Sequence, residues 1–259
     1  MNYFWRKNLP TLIVGTLITI IPWGVTLYQM NDYDYSPLDV KTTAQTTVVT
    51  LDEDGDAHFA ERKTRDMIYH VSEQYLYYSS DDEDVEPDVH ATKIDSATFS
   101  ASVYDANDDL LFTHFGPGSQ EYAGGLYFAY ADAEGHNSLN ETGDTYYAEE
   151  PDLAKWMFYN PDTWGNGTTF VQNYTIKGAA LQYNDTAEFF WALAYTDYVK
   201  TTNVDVTVIL PTNTLEISDV DAYIFGSNNA RIVSIAKNDS GHIAIHITAK
   251  QLYPNEFIS

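Results

Sequence analysis

Alternating apolar and polar residues dominate the second half of the chain. Valines occupy every second position from Val204 to Val208, with Asp205 and Thr207 between them. Isoleucine occupies every second position of residues 243–247 in the same way. Because successive side chains of a strand point to opposite faces, this period of two predicts strands with one buried face.

Segments rich in Val, Ile, Thr, Tyr and Phe recur along most of the chain, and polar or glycine-containing turns separate most of them. The predicted strands are residues 45–51, 56–62, 94–104, 110–115, 122–130, 169–176, 188–194, 204–210, 220–225, 231–236 and 242–248. The Asp54-Gly55 pair between the first two is typical of a tight hairpin turn. Strands at this spacing, without alternating helices, predict a mainly β fold, an antiparallel immunoglobulin-like β-sandwich.

One soluble segment has the spacing of a helix instead. Pro151 and Asp152 come first, as at many helix starts, and apolar residues follow at helical intervals from Leu153 to Phe158. The sequence therefore predicts one short helix at residues 151–159.

The amino terminus has the pattern of a membrane span. Residues 9–28 carry no charge and are long enough to cross the hydrocarbon layer as a helix, and Arg6 and Lys7 precede them. Positive charge in front and an acidic region behind orient the later residues outward. The predicted domains are a signal-anchor or signal peptide at 1–30, a linker at 31–44 and an extracytoplasmic β domain at 45–259.

The span is either a permanent anchor or a cleaved signal peptide. Its apolar run is longer than a typical signal core, and no Ala-x-Ala type of cleavage site follows it. Both features favour an anchor, with the protein in the cell membrane as a single-pass protein and its β domain on the extracytoplasmic side.

Charge and cysteine content narrow the function classes. The chain has 13 Lys and Arg against 38 Asp and Glu, a formal charge of −25, and no cysteine. Such a surface repels phosphate backbones, so a nucleic-acid partner is excluded. Without cysteine there are no disulfides, zinc-thiolate sites or thiol catalysis.

Four stretches resemble a known family. They are Tyr174 to Ala179, Tyr183 to Trp191 with its Asp-Thr-Ala-Glu spacing, Asn203 to Pro211, and the opening Leu51 to Glu61. Together they resemble the bacterial domain of unknown function 2207, with gaps over about residues 45–255 and most sharply over 170–211. The resemblance implies an export signal joined to an extracytoplasmic β domain, and it implies no catalytic residue.

Two oxygen-rich segments are candidates for calcium. Asp52, Asp54 and Asp56 surround Gly55, but an EF-hand places its glycine after the third acid, so a hairpin turn is the favoured reading. The acidic run at residues 81–88 reads as a solvated loop that could also gather calcium. His242 and His246 lie too far apart in a strand to share one metal.

Aromatic residues supply the candidate binding surface, with 21 Tyr, 12 Phe and 5 Trp in the chain. Aromatic side chains can stack on sugar rings or anchor a protein partner, although they also pack β-sandwiches. The candidates for contact with a protein or carbohydrate partner are Tyr75, Tyr77, Tyr78, Trp156 and Trp164.

No Gly-x-Ser-x-Gly elbow, HExxH, Walker loop or dinucleotide fingerprint occurs in the chain. We therefore expect no enzyme and no cofactor, and interpret the protein as a membrane-anchored, extracytoplasmic binding or assembly module. Two alternatives remain open: a secreted carbohydrate-active or hydrolytic enzyme, and a calcium-stabilised adhesin.

Overall fold

The computed structural model describes residues 40–67, 73–79, 93–116, 120–122, 126–131, 153–159, 167–196 and 199–259. All of them belong to one unit, Val40–Ser259. The predicted membrane span, the acidic run at 81–88 and Trp164 lie outside the described residues. Within the described part, no helix is long and apolar enough to be a candidate membrane span.

Strands make up nearly all of the regular structure. They are β1 Val40–Leu51, β2 Ala57–Met67, β3 Glu73–Ser79, β4 Lys93–Tyr104, β5 Leu110–Phe115, β6 Gln120–Tyr122, β7 Leu126–Ala131, β8 Leu153–Tyr159, β9 Thr168–Lys177, β10 Ala180–Gln182, β11 Ala187–Phe189, β12 Ala194–Tyr195, β13 Thr201–Ile209, β14 Ala230–Lys237, β15 Ile243–Leu252 and β16 Phe257–Ile258. The prediction of a mainly β fold is confirmed. β1 begins at Val40, inside the segment predicted as a linker.

Eight strands form one mixed sheet in the order β14-β15-β13-β1-β2-β9-β4-β5. Six of its seven strand pairs are antiparallel, but β1 and β13 pair in parallel, with Val49 opposite Val208. The prediction of a purely antiparallel sheet is therefore wrong for this pair. A parallel pair needs a long connection, and most of the chain lies between β1 and β13, which local sequence pattern cannot reveal.

The predicted helix at 151–159 is also wrong, because Leu153–Tyr159 is strand β8. It pairs with β3 on one side and β7 on the other in a four-stranded sheet of order β3-β8-β7-β6. Two flanking strands satisfy the backbone N–H and C=O groups of β8, and its large aromatic residues suit a pleated surface. Tertiary pairing thus overrides a short helical pattern.

Three predicted strands differ in detail. The segment at 122–130 contains parts of a hairpin, β6 and β7, and the segment at 188–194 is divided between β11 and β12. Residues 220–225 are extended without a ladder of their own, and they follow a 3₁₀ helix at Ile217–Asp219. In residues 220–225, Val220, Ala222 and Ile224 still pack against the core, which explains the alternating pattern.

The inner face of the eight-stranded sheet is apolar at one end and polar at the other. The apolar end packs Val49, Phe59, Val208 and Ile245, all of them buried. Phe59 and Tyr174 stack there, with their ring centroids 4.9 Å apart and nearly parallel. This apolar end is the core that holds the sheet together.

Candidate functional site

The three aspartates of the first hairpin serve its turn. One oxygen of Asp52, Oδ1, accepts hydrogen bonds from the backbone N–H of Asp54 at 3.0 Å and of Asp56 at 2.9 Å. Gly55 has a φ of +84°, which the turn requires and a side chain would oppose. The prediction of an Asp-Gly turn is confirmed, and Asp52 acts as its internal cap.

Both carboxylate oxygens of Asp56 are also hydrogen-bonded. The Lys177 ammonium donates to Asp56 Oδ2 at 2.6 Å and the Gly178 N–H donates to Oδ1 at 2.9 Å. The hydrogen bond between the two side chains is the largest cause of a lowered pKa at Asp56 and of a raised pKa at Lys177. The turn is therefore tied to the end of β9 by charge as well as by strand pairing.

His58 links the same turn to the sheet. Its Nε2 lies 3.0 Å from Asp52 Oδ2, and its Nδ1 lies 3.0 Å from Thr175 Oγ1. In the described ranges, no group of three or more His, Asp or Glu side chains is placed to hold a metal ion. Asp52, Asp54 and Asp56 are thus brought together as a hydrogen-bonded turn.

The aromatic candidates lie in the four-stranded sheet, apart from Trp164. Tyr75 is opposite Met157 and Tyr78 is opposite Ala154 in the β3–β8 register, and Trp156 is opposite both Leu76 and Tyr130. Tyr75 and Tyr77 pair with Met157 and Lys155, so neither is directly opposite Trp156. The strand register therefore places these candidates on two neighbouring strands of one sheet.

The two histidines of the last long strand are held separately. His242 Nδ1 lies 2.9 Å from the carbonyl oxygen of Leu210, whereas His246 Nε2 lies 2.8 Å from Asp205 Oδ2. The prediction that they do not share one metal agrees with these separate partners.

The polar end of the inner face forms a second feature, which we call the inner polar cluster. It consists of Gln45, Thr47, Glu61, Lys63, Gln172 and His114. Strand register places Thr47, Glu61 and Gln172 side by side across β1, β2 and β9. Buried polar groups cost free energy unless they are hydrogen-bonded, so this cluster needs internal partners.

The residues of the inner polar cluster differ in how well their polar atoms are hydrogen-bonded. Lys63 Nζ lies 3.5 Å from Glu61 Oε2, and Gln45 donates to Thr47 Oγ1 at 3.3 Å. Gln172 is only 1% exposed, and neither its amide nitrogen nor its amide oxygen has a hydrogen-bond partner among the residues that the structure describes. His114 pairs through Nε2 with the carbonyl of Gly116 at 3.1 Å, and burial lowers its pKa.

A third feature is an exposed group of aromatic rings near the carboxyl-terminal strand. We call Phe190, Tyr223 and Phe225 the aromatic patch; their exposed fractions are 59%, 72% and 54%. The rings of Phe190 and Phe225 meet edge to face, with centroids 5.8 Å apart. Exposed aromatic rings that touch each other, as Phe190 and Phe225 do, mark contact surfaces more often than isolated ones.

The backbone holds the aromatic patch in place. Phe225 and Ser259 exchange two backbone hydrogen bonds of 3.0 and 3.2 Å, and Leu193 N–H donates to the carbonyl of Ile258 at 2.7 Å. Gly226 follows with a φ of +98°, and a Cβ there would overlap the Phe257 carbonyl and lie 2.7 Å from its ring. The patch is therefore fixed by β16 rather than carried on a free loop.

Sequence reasoning missed the aromatic patch, although a signal was present. Residues 220–225 alternate, and the inward positions are Val220, Ala222 and Ile224, so Tyr223 and Phe225 must point the other way. Phe190 lies in a stretch that resembles the family of unknown function, and the sequence predicts no separate role for it. Its exposure follows from Trp191, which turns inward and tilts against Phe59 with a centroid distance of 6.4 Å.

Comparisons with known proteins add a family. A model described as the N-terminal domain of a predicted membrane protein, DUF2207, matches residues 43–259. No curated protein matches the chain. A solved structure described as a proposed protease from Parabacteroides distasonis is similar at 13% identity and a TM-score of 0.45; the match covers 85% of this chain and 39% of that one. At that TM-score the similarity supports no inference about fold or chemistry.

Proposed function

The chain belongs to the DUF2207 family of predicted membrane proteins, and from that premise we propose that it is a membrane-anchored, extracytoplasmic, non-enzymatic binding module. Residues 9–28 are the proposed anchor, and the unit Val40–Ser259 is the proposed exported domain. The contact face is the aromatic patch of Phe190, Tyr223 and Phe225. The protein partner is one that can cover these rings.

The exposure of the aromatic patch carries this proposal. Three large rings with more than half of their surface in water are unfavourable for a folded chain that gains nothing from them. Aromatic residues at fixed positions are also the side chains that dominate binding energy in protein interfaces. Because β16 and Gly226 hold the patch rigid, little conformational entropy is lost on binding.

The proposed architecture is a β-sandwich of the immunoglobulin type. The eight-stranded sheet has one face lined by buried Val, Ile and Phe, and a face of this kind requires a second layer to cover it. The segments that pack Trp191, Leu193, Ile224 and Ile258 against this face are the proposed second layer. This arrangement supports a binding role, since β-sandwiches present loops and edge segments at their ends.

The binding role is tested by cross-linking in intact cells. The chain contains no cysteine, so a Tyr223→Cys variant carries one unique thiol for a maleimide photo-cross-linker. The matched control is Val233→Cys on β14, where the native side chain is 51% exposed. We expect one discrete cross-linked species from position 223 and none from position 233; equal, diffuse cross-linking from both positions would remove the proposal.

The membrane topology is tested independently. A carboxyl-terminal tag is added to the full chain, and intact cells are treated with protease. We expect loss of the tag with a small membrane-bound remainder. A tag that survives in cells whose cytoplasmic proteins are also protected would contradict the exported location.

A further inference from the structure

We propose that the aromatic patch binds a protein segment that carries basic side chains next to an apolar anchor. This inference rests on the proposed binding function and names the chemistry of the partner. It commits to a cationic protein segment rather than to a lipid surface or a second copy of this chain.

The first argument is the alternation of acids and rings in the two segments that form the patch. In residues 187–191, Phe189 and Trp191 face the core, which leaves Glu188 and Phe190 exposed. In residues 220–225 the outward positions are Asp221, Tyr223 and Phe225. Both segments therefore present a carboxylate two positions before a ring, about 7 Å away along an extended chain.

The second argument is the charge of the surrounding chain. Residues 183–193, 211–229 and 253–259 together contain six carboxylates and no Lys, Arg or His, and these segments supply the patch and its support. Glu216 is neutralised by Lys237 at 3.0 Å. Glu256 is occupied by hydrogen bonds from Ser227 and from the Tyr253 N–H.

Two of the carboxylates beside the rings are left for a partner. Glu188 and Asp221 are exposed, and neither carboxylate has a hydrogen bond or ion pair with any residue that the structure describes. An aromatic surface with free carboxylates at its rim attracts Lys and Arg, and the rings add cation–π attraction for the same groups. An anionic membrane or a second copy of this acidic chain would be repelled.

The partner therefore needs an apolar side chain and basic groups at matching distances along its chain. An aliphatic or aromatic side chain would cover the Phe190–Phe225 pair, and flanking basic groups would reach Glu188 and Asp221.

The test uses the purified full-length chain in a neutral detergent and measures binding of two labelled peptides. One peptide alternates Trp with Lys, and the other has Glu in place of every Lys. We expect the Lys peptide to bind and the Glu peptide to bind at least tenfold more weakly. Equal binding of the two peptides would overturn the inference, as would stronger binding to vesicles that contain anionic lipid.

Variants separate this inference from the proposed function. Asp221→Asn combined with Glu188→Gln should weaken the Lys peptide about fivefold, because exposed ion pairs contribute modestly. The control, Asp109→Asn combined with Asp239→Asn, neutralises two exposed carboxylates on distant turns and should change nothing. If both pairs of variants bind like the wild type, the inference about charge is wrong.

The rings are tested with the same peptide. Phe190→Ser combined with Phe225→Ser should reduce binding of the Lys peptide by roughly thirtyfold or more, as loss of a central aromatic contact does. Loss of binding in the ring variants but not in the acid variants leaves the binding function standing and overturns only the partner chemistry. No loss in the ring variants overturns both.

Discussion

The inner polar cluster and the aromatic patch reverse the usual distribution of side chains in opposite directions. At the polar end of the sheet, Glu61 and Lys63 are 5% and 9% exposed although both carry charge. At the carboxyl-terminal end, the rings of Phe190 and Phe225 are more than half exposed although both are apolar. Each arrangement opposes the ordinary preference of its residues, so each requires a specific explanation.

The two regions differ in where the compensation lies. The inner polar cluster is compensated inside the molecule, by the Glu61–Lys63 contact and the Gln45–Thr47 hydrogen bond. In the aromatic patch, the rings of Phe190 and Phe225 contact each other edge to face, and all three rings are more than half exposed. We infer that the first region serves the specificity of the fold and that the second serves a partner.

The largest expected effect is on the inner polar cluster. Glu61→Leu leaves the buried Lys63 ammonium without its carboxylate and should lower the free energy of unfolding by about 3–5 kcal/mol. Adding Lys63→Met should restore most of the loss, because an apolar pair replaces an isolated charge. Urea unfolding of the full-length chain measures both variants, with Asp108→Asn in the exposed Arg62–Asp108 pair as the control.

In that experiment the control variant, Asp108→Asn, should lower the free energy of unfolding by less than about 1 kcal/mol, since exposed ion pairs contribute little. A double variant as unstable as Glu61→Leu alone would show that the ion pair does not compensate the cluster.

The next effect concerns the support of the aromatic patch. Gly226→Ala places a methyl group against the Phe257 carbonyl at a φ of +98°, and should cost about 2–5 kcal/mol from strain and overpacking together. Gly178→Ala has a φ of +64° with no atom within 4 Å, so it should show the backbone strain alone, about 1–2 kcal/mol. Equal losses in thermal unfolding would mean that the Phe257 contact does not hold the patch.

A smaller effect of opposite sign is expected at Gln172. Both polar atoms of its amide are buried and have no hydrogen-bond partner in the described part of the chain. Gln172→Leu therefore removes a desolvation cost that no hydrogen bond offsets, and should stabilise the fold by about 1 kcal/mol. Gln45→Leu breaks a hydrogen bond to Thr47 and should cost about 1 kcal/mol. A clear loss of stability in Gln172→Leu would indicate that its amide is bonded through ordered water.

The smallest effect is a pH dependence at His114. Burial lowers the pKa of this histidine in the folded state, so the unfolded chain takes up the proton first as the pH falls below the ordinary value of 6.5. Its contribution to stability is therefore present above that value and is lost as the pH falls toward the folded pKa. His114→Gln should flatten the stability profile in this window; an unchanged slope would assign the pH dependence to other groups.

The local sequence pattern predicts most strands of the sheet, but it predicts little about which distant strands pair with each other. The Asp54-Gly55 turn and the alternation from Val204 to Val208 lead to hairpin and strand because both are local properties of the chain. The same alternation places Glu61 and Lys63 on the side of β2 that carries Phe59, but it does not predict that two ionisable side chains are buried there. The parallel pairing of β1 with β13 depends on a partner far along the chain, and no local pattern contains it.

The predicted candidates Tyr75, Tyr77, Tyr78 and Trp156 and the aromatic patch are different sets of residues. The density of aromatic residues along the sequence favours the first set. Exposure of a ring depends on which neighbours turn inward, as Trp191 does beside Phe190. Packing against Phe59 determines that Trp191 points inward and Phe190 outward, and a count of aromatic residues cannot show this.

The most direct test of the account is the accessibility of the aromatic patch in intact cells. The chain has no native cysteine, so Tyr223→Cys and Ala101→Cys each provide one thiol, the first at a position 72% exposed and the second at one 1% exposed. We predict that a membrane-impermeant maleimide labels Tyr223→Cys in intact cells and labels Ala101→Cys only after unfolding. Labelling of Tyr223→Cys only after the membrane is disrupted would contradict an exported domain that presents this surface to a partner.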